Sequence, residues 1–478
     1  MKEKHVFVDW YEVDPGYGID APGYMPFDGS PYGVEIIAHK PQIERTPILV
    51  ASEPWDIRRA GFGSMFYANG QYYYYYEAIN RTPNWIMLCL ATSKDGKVWE
   101  KPKLGLVDFQ GSKENNIIKM GAGEGYGYVD EGDLVYYDTE DVPEEEKFKM
   151  LFTRVSYDGD KVKDVGIYAA FSKDGLHWNH IGRVFKGGDS FIGVVFDKGK
   201  YYAFLKAQDP AHIIRRTIIR YESEDFRHWE NPTYIFNGSM NDKPDTDYYT
   251  SPVFRWPGVK NAFVMMPTMF HRTQDFTNPL IAFSRDLNTW NIPLKNGVMI
   301  TSDDMGGNKS IYANAGFIIE NNRVMHTFSS AFTGHNSYTC DPLYQTEKGV
   351  HYTYAMFFRE DGYTSLHAES HGGFTSIPFF VGEGIELNAE IGLKGFVKIA
   401  ITDMEKNEPY EGFSFEDCKL EKTDNIHYNV TFAKPFSELP KDKKVRLKVK
   451  MFRSDIYAYS FVNVDNNEGE SKSSYKVA

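Results

Sequence analysis

The chain has 478 residues, 42% of them hydrophobic, which is enough to bury a large core and long enough for more than one domain. Its formal charge of −13, with no basic patch to offset it, argues against nucleic acid or an anionic membrane surface as a partner. Three scattered cysteines, Cys89, Cys340 and Cys418, form no Cys-x-x-Cys pair, so neither a disulfide framework nor a zinc site is expected.

The first residues, Met1 to Asp9, lack the apolar core of a signal peptide, and nowhere do the ~18 apolar residues of a membrane helix run together. The expectation is a soluble, cytoplasmic protein; an exported one whose leader had been removed would read the same. Residues 1–45, rich in Gly, Pro and Tyr, form a lead-in with a short strand from His5 to Trp10.

From about residue 46 a repeat sets in. The pattern Ser-x-Asp-x-x-x-Trp occurs at Ser93 to Trp99, Ser172 to Trp178, Ser223 to Trp229 and Ser284 to Trp290, with a degenerate fifth copy at Phe358-Arg359-Glu360-Asp361-Gly362. Each copy follows an alternating apolar run such as Leu88 to Thr92, so it reads as strand, Asp/Gly turn, then a strand anchored by Trp. Spacings of 79, 51 and 61 residues between the four full copies fit propeller blades lengthened by loops. Hairpins between the first two strands of each blade are expected at Asn69-Gly70, Asp141 to Glu146, Lys198-Gly199, Pro257-Gly258 and Asn321-Asn322. Beyond about 362 the repeat stops, and alternating runs such as Gly395 to Ile401 and Val445 to Met451 predict an antiparallel β-sandwich. The expected fold is therefore all-β: a lead-in (1–45), a five-bladed β-propeller (46–362) and a C-terminal antiparallel β-sandwich (363–478).

In a four-stranded antiparallel blade the Ser-x-Asp turns lie on the face opposite the links between blades, so the loudest motif is read as structural. Chemistry is expected where the innermost strands begin, because those positions converge on the axis. Aligned on their hairpins, they are Asp130, Asp189 and Asp247 in blades two to four, Arg59 just after Asp56 in blade one, and Tyr312 in blade five. Carboxylates crowded into one funnel push each other's pKa values apart, as acid/base work requires. The second strands end on the same face, beside Glu77, Arg154, Lys206, His271-Arg272 and His335. Aromatics make up 16% of the chain; most should fill wedges between blades, and Trp85 is the best candidate to stack on a sugar.

These residues resemble the five-bladed propeller glycoside hydrolases, specifically uncharacterised relatives of the β-fructosidase and arabinanase groups. The resemblance rests on His5 to Asp9, Ala91 to Val107 with its Lys101-Pro102-Lys103-Leu104-Gly105 stretch, Gly111 to Ile118, Phe358 to Tyr363, and Gly412 to Cys418 in the C-terminal region. It implies an active site in the axial funnel, with acidic residues from successive blades. The Asn-Asp-Pro-Asn, Arg-Asp-Pro and Glu-Cys elements of fructosidases are absent from the propeller, and Arg59 stands where arabinanases carry an Asp. The expectation is glycoside hydrolysis by paired carboxylates, Asp189 and Asp247, with Asp130 setting pKa values or holding substrate and Asp56 replacing the missing Asp. Arg58, Arg59, Glu77, Arg154, His271, Arg272, Tyr312 and His335 would orient a carbohydrate. No metal or organic cofactor is demanded. A non-catalytic sugar-binding propeller and a glycoside phosphorylase are the alternatives.

Overall fold

The computed structural model describes residues 3–16, 31–80, 86–118, 120, 128–158, 161–187, 193–208, 215–236, 242–336, 342–404, 408–420 and 424–462. Strands dominate, and every helix among these residues is a 3-10 turn of three or four residues. None is long and apolar enough to cross a membrane.

Five antiparallel blades, the fourth made of two separate sheets, follow one another around an axis. Blade one holds Arg59–Ala68, Gln71–Ile79 and Ile86–Ser93. Blade two runs through Tyr128–Tyr137, Phe148–Asp158, Lys161–Ser172 and Asn179–Lys186, and blade three through Gly193–Asp197, Lys200–Gln208, Arg216–Ser223 and Glu230–Tyr234. Blade four is split into two short ladders, opening on Thr246–Tyr248 and on Val253–Arg255. Pro252 and Pro267, which have no N–H to give, stand on adjacent strands at the break. In blade five, Ser310–Ala313, Arg323–Ala331 and Tyr352–Arg359 are joined at the outer edge by Gln42–Ile43, so the lead-in closes the ring. Blades five and one also touch through parallel bridges, Ser64 to Ala315 and Arg59 to His351. The inner strands come so close there that a Cβ on Gly316 would lie 1.9 Å from the Met65 carbonyl oxygen.

The repeated turn is built as its sequence suggests. In the first copy the Ser93 hydroxyl accepts from the Gly96 amide at 2.8 Å, and Asp95 accepts from the Lys97 and Val98 amides at 2.9 Å each. Those amides hold the Asp95 carboxyl below its ordinary range. The Trp99 indole then donates to the Gly96 carbonyl and packs between blades five and one. Trp178, Trp229 and Trp290 fill the next three wedges in turn. The tyrosine run follows the strand period of two: Tyr74 and Tyr76 face the wedge toward blade five, Tyr73 and Tyr75 the wedge toward blade two. Both faces of a blade are buried, so the run needs no alternation of polarity. Most of the aromatic excess is core.

The wedges also contain buried charge. Asp138, with 0% exposure, accepts from Lys149 at 2.9 Å and from the Tyr201 hydroxyl, while the ammonium lies 5.3–5.9 Å from the ring centroids of Phe171, Tyr201 and Phe226. His326 bonds the Gly316 carbonyl oxygen and the Tyr363 hydroxyl, and burial lowers its pKa to about 3, so it is neutral in the fold.

The C-terminal strands form one continuous antiparallel sheet, in which Gly384–Asp403 and Lys444–Val462 run the full length. The short strands Thr364–Ala368, Gly372–Thr375 and Phe379–Phe380 pair along Lys444–Val462, and Asp424–Val430 along Gly384–Asp403. Alternate residues such as Leu387, Ile399, Leu447 and Phe461 meet in a single core. The lead-in adds Glu3–Val6 and Glu35–Ala38 to this sheet as well. Arg285 of blade four, bonded to Asp9, Glu12 and the Val6 carbonyl oxygen, fastens the lead-in to the propeller.

Candidate functional site

Where the inner strands begin, four aromatic side chains from three blades meet: Phe62, Tyr249, Phe270 and Tyr312. Phe62 lies in a bulge of blade one, between Gly61 and Gly63, with φ of 55°. That conformation strains a bulky residue, and its amide is held by the Ser329 hydroxyl at 2.7 Å. The bulge sets its ring edge-on to Tyr312, with centroids 4.8 Å apart. His335 packs against Tyr249 and Phe270 at 4.6 and 4.5 Å, and its Nδ1 hydrogen-bonds the Tyr312 hydroxyl at 2.5 Å. Burial raises the Tyr312 phenol far above its usual range, so it stays protonated. Residues from all five blades also line one small cavity, among them Ser64, Val135, Val194, Val253 and Ala315.

Charged groups surround this cluster in pairs. Arg59 lies over the Phe62 ring and donates to Glu77 at 2.7 Å. His351 is buried nearby; burial first, then Arg59 and Arg58, hold its pKa well below the ordinary value. The Lys206 ammonium sits 4.1 Å from the centroid of Tyr249. Asp247 receives the Arg216 amide at 3.1 Å and the Arg216 guanidinium at 3.0 Å, with Arg272 at 3.6 Å. His271 stacks on Phe276 at 4.2 Å, and burial lowers its pKa.

Arg59, Glu77, Tyr312, His335, Asp247, His271 and Arg272 are thus all placed at or beside the axial cluster. Asp130 is in the opening residues of the blade-two inner strand, with its backbone paired to Arg154, whose guanidinium packs on Tyr168. Asp189 and Trp85 lie outside the described residues.

Two expectations are corrected. Asp56 has 0% exposure: Lys101, the Tyr76 hydroxyl and the Glu53 amide occupy its oxygens in the wedge between blades five and one. Burial raises its pKa against the pull of Lys101, and no surface remains for a substrate. Arg58 is 2% exposed; it donates to the Thr346 and Gly349 carbonyl oxygens and stacks on Tyr344, holding a loop rather than a sugar. Asp247 is also fully buried, so it reaches a ligand only through the guanidiniums that cover it.

Phe62 and Arg216 were not identified from sequence. The Gly61-Phe62-Gly63 triplet was a signal for the first, because paired glycines in an inner strand mark a bulge. For the second, Arg215-Arg216 opens a third strand, which begins on the same face as the inner strands.

No protein-family model matches the sequence, and no curated protein matches it. Among solved structures, the fold is similar to an N-acetylgalactosamine deacetylase from F. plautii in complex with blood group B trisaccharide, at 14% identity over 68% of this chain and 95% of that one, with a TM-score of 0.45. It is also similar to a thermostable family-43 glycoside hydrolase (16% identity, 64% and 92% covered, TM-score 0.42). A third is the Penicillium chrysogenum alpha-L-arabinanase complexed with arabinobiose (14% identity, 62% and 83% covered, TM-score 0.38). At such values a function has to be argued from the site itself.

Proposed function

We propose that the protein is a glycoside hydrolase that binds its sugar at the axial end of the propeller. The observation that carries this reading is the convergence there of Phe62, Tyr249, Phe270 and Tyr312 with the paired charges Arg59–Glu77 and Arg216–Asp247–Arg272. Aromatic faces accept the C–H faces of a sugar, and charged donors and acceptors around them bind its hydroxyls. Asp189 and Asp130 supply the working carboxylates, one giving a proton to the leaving oxygen and the other acting on water or on the anomeric carbon. Asp247, closed off beneath Arg216 and Arg272, is assigned to holding those cations, and Glu77 to holding Arg59.

A second reading, a sugar-binding propeller without catalysis, draws support from one feature. The axial carboxylates whose side chains are described, Glu77 and Asp247, are 6% and 0% exposed and ion-paired. A reducing-sugar screen over furanosides, pyranosides and their polymers, with and without phosphate, decides between the two. Release of reducing ends without added phosphate is expected. Phosphorolysis would instead trap the anomeric carbon as a sugar 1-phosphate and free no new reducing end, so it is read as phosphate-dependent formation of sugar 1-phosphate, and binding without either product supports the binding module.

A further inference from the structure

We propose that Arg216 and Arg272 form a receptor for an anionic substituent, so that the sugar taken at the axis carries a carboxylate, as in a uronic acid, or a sulfate ester. This names a substrate class for the sugar site proposed above and rests on that reading. Arg216 opens the third strand of blade three yet reaches across to blade four, where its guanidinium lies 5.3 Å from the Tyr249 centroid and 5.6 Å from that of Phe270. Both rings belong to the axial cluster, so the guanidinium borders the site.

Asp247 fixes it there. The carboxylate takes the Arg216 main-chain amide on one oxygen and Nη1 on the other, and Arg272 Nη1 stands 3.6 Å from the first oxygen. Arg272 is braced in turn by Nη2 donating to the Pro244 carbonyl oxygen at 2.7 Å. Among the described residues, one carboxylate thus faces two guanidiniums. The anion is fully buried while the Arg216 and Arg272 side chains are 28% and 22% exposed, so the cations form the face that a ligand meets. Among the described residues, Nε and Nη2 of Arg216 have no hydrogen-bond partner. Of the described acids nearby, Asp242 accepts from Tyr248 and lies 3.9 Å from Arg215, and Asp245 accepts from the Thr273 amide. A guanidinium offers a planar fork of donors that fits a carboxylate with two parallel bonds, and here most of the cost of ordering that fork is met in the free protein.

The test is isothermal titration of the protein, and of Arg216→Gln and Arg216→Lys, with galacturonic and glucuronic acid oligosaccharides, galactose 6-sulfate and the matching neutral sugars. An anionic member is expected to bind about tenfold or more tightly than its neutral counterpart, as one charge-assisted hydrogen bond supplies. The advantage should weaken with salt, collapse in Arg216→Gln and survive in part in Arg216→Lys, with thermal melts confirming that each variant is folded. Preference for the uronates or for the sulfate tells the two sources apart. Equal or tighter binding of the neutral sugars, or an advantage that persists in Arg216→Gln, overturns the proposal. Anionic binding without turnover would leave the receptor standing and remove the hydrolase, turnover of neutral sugars alone would do the reverse, and no binding by any sugar would remove both.

Discussion

Exchange of Asp189 for Asn is expected to lower turnover of a glycoside by about 10²–10⁴-fold, the contribution of a positioned acid or base, with little change in thermal midpoint. Asp130, Asp189 and Asp247 hold matching places in the sequences of blades two, three and four, and Asp130 and Asp247 both stand in the opening residues of inner strands. Asp247 is buried and shared between two arginines, and for that reason the proposal gives the chemistry to Asp189 and Asp130. Asp247→Asn should behave differently. It removes the charge that anchors Arg216 and Arg272, so sugar affinity and stability should fall together. Steady-state rates and melting curves of the two variants separate the roles. Full activity in Asp189→Asn, or loss of activity in Asp247→Asn alone with an unmoved midpoint, would reverse the assignment.

Lys149→Ala should cost about 3–5 kcal/mol of folding stability, because removing one partner of a buried ion pair strands the other. Lys149 and Asp138 have side-chain exposures of 1% and 0%, and the Tyr201 hydroxyl completes the Asp138 shell between blades two and three. Burial lowers the Lys149 pKa while Asp138 and, after it, Glu146 pull it up, and the ammonium also donates to the Glu146 carbonyl oxygen at 2.7 Å. Replacing both partners together, Lys149→Met with Asp138→Leu, should recover a large part of the loss, since no charge is then left unpaired. Urea unfolding at neutral pH reads both variants. A loss below about 1 kcal/mol in Lys149→Ala would mean that water reaches Asp138 when the lysine is gone.

Much of the fold could be read from the sequence because its signals are local. Ser93 to Trp99 closes its own turn with its own amides, and Asn69, Gly70, Asn321 and Asn322 take the positive φ values that tight hairpins ask for. The tyrosine run shows the strand period directly. What the sequence could not show is which polar side chains meet across blades. Asp56 and Arg58 sit three and one residues before Arg59 and look equally available, yet Lys101 and the loop carbonyls of Thr346 and Gly349 claim them from 45 and about 290 residues away. Arg216 was hidden for the same reason: its partner is on the next blade, 31 residues on. The closure of blade five by Gln42–Ile43 also depends on the ring as a whole.

The most direct test of a sugar site at the axis is hydrogen–deuterium exchange with and without the sugar that binds best in the titrations. Slower exchange is expected in the segments carrying Arg59 to Gly63, Arg215 to Thr217, Thr246 to Tyr249 and His335, with no change in the turns at Ser93 to Trp99 and Ser284 to Trp290. Protection confined to those turns or to the C-terminal sheet would place the sugar elsewhere and contradict the assignment.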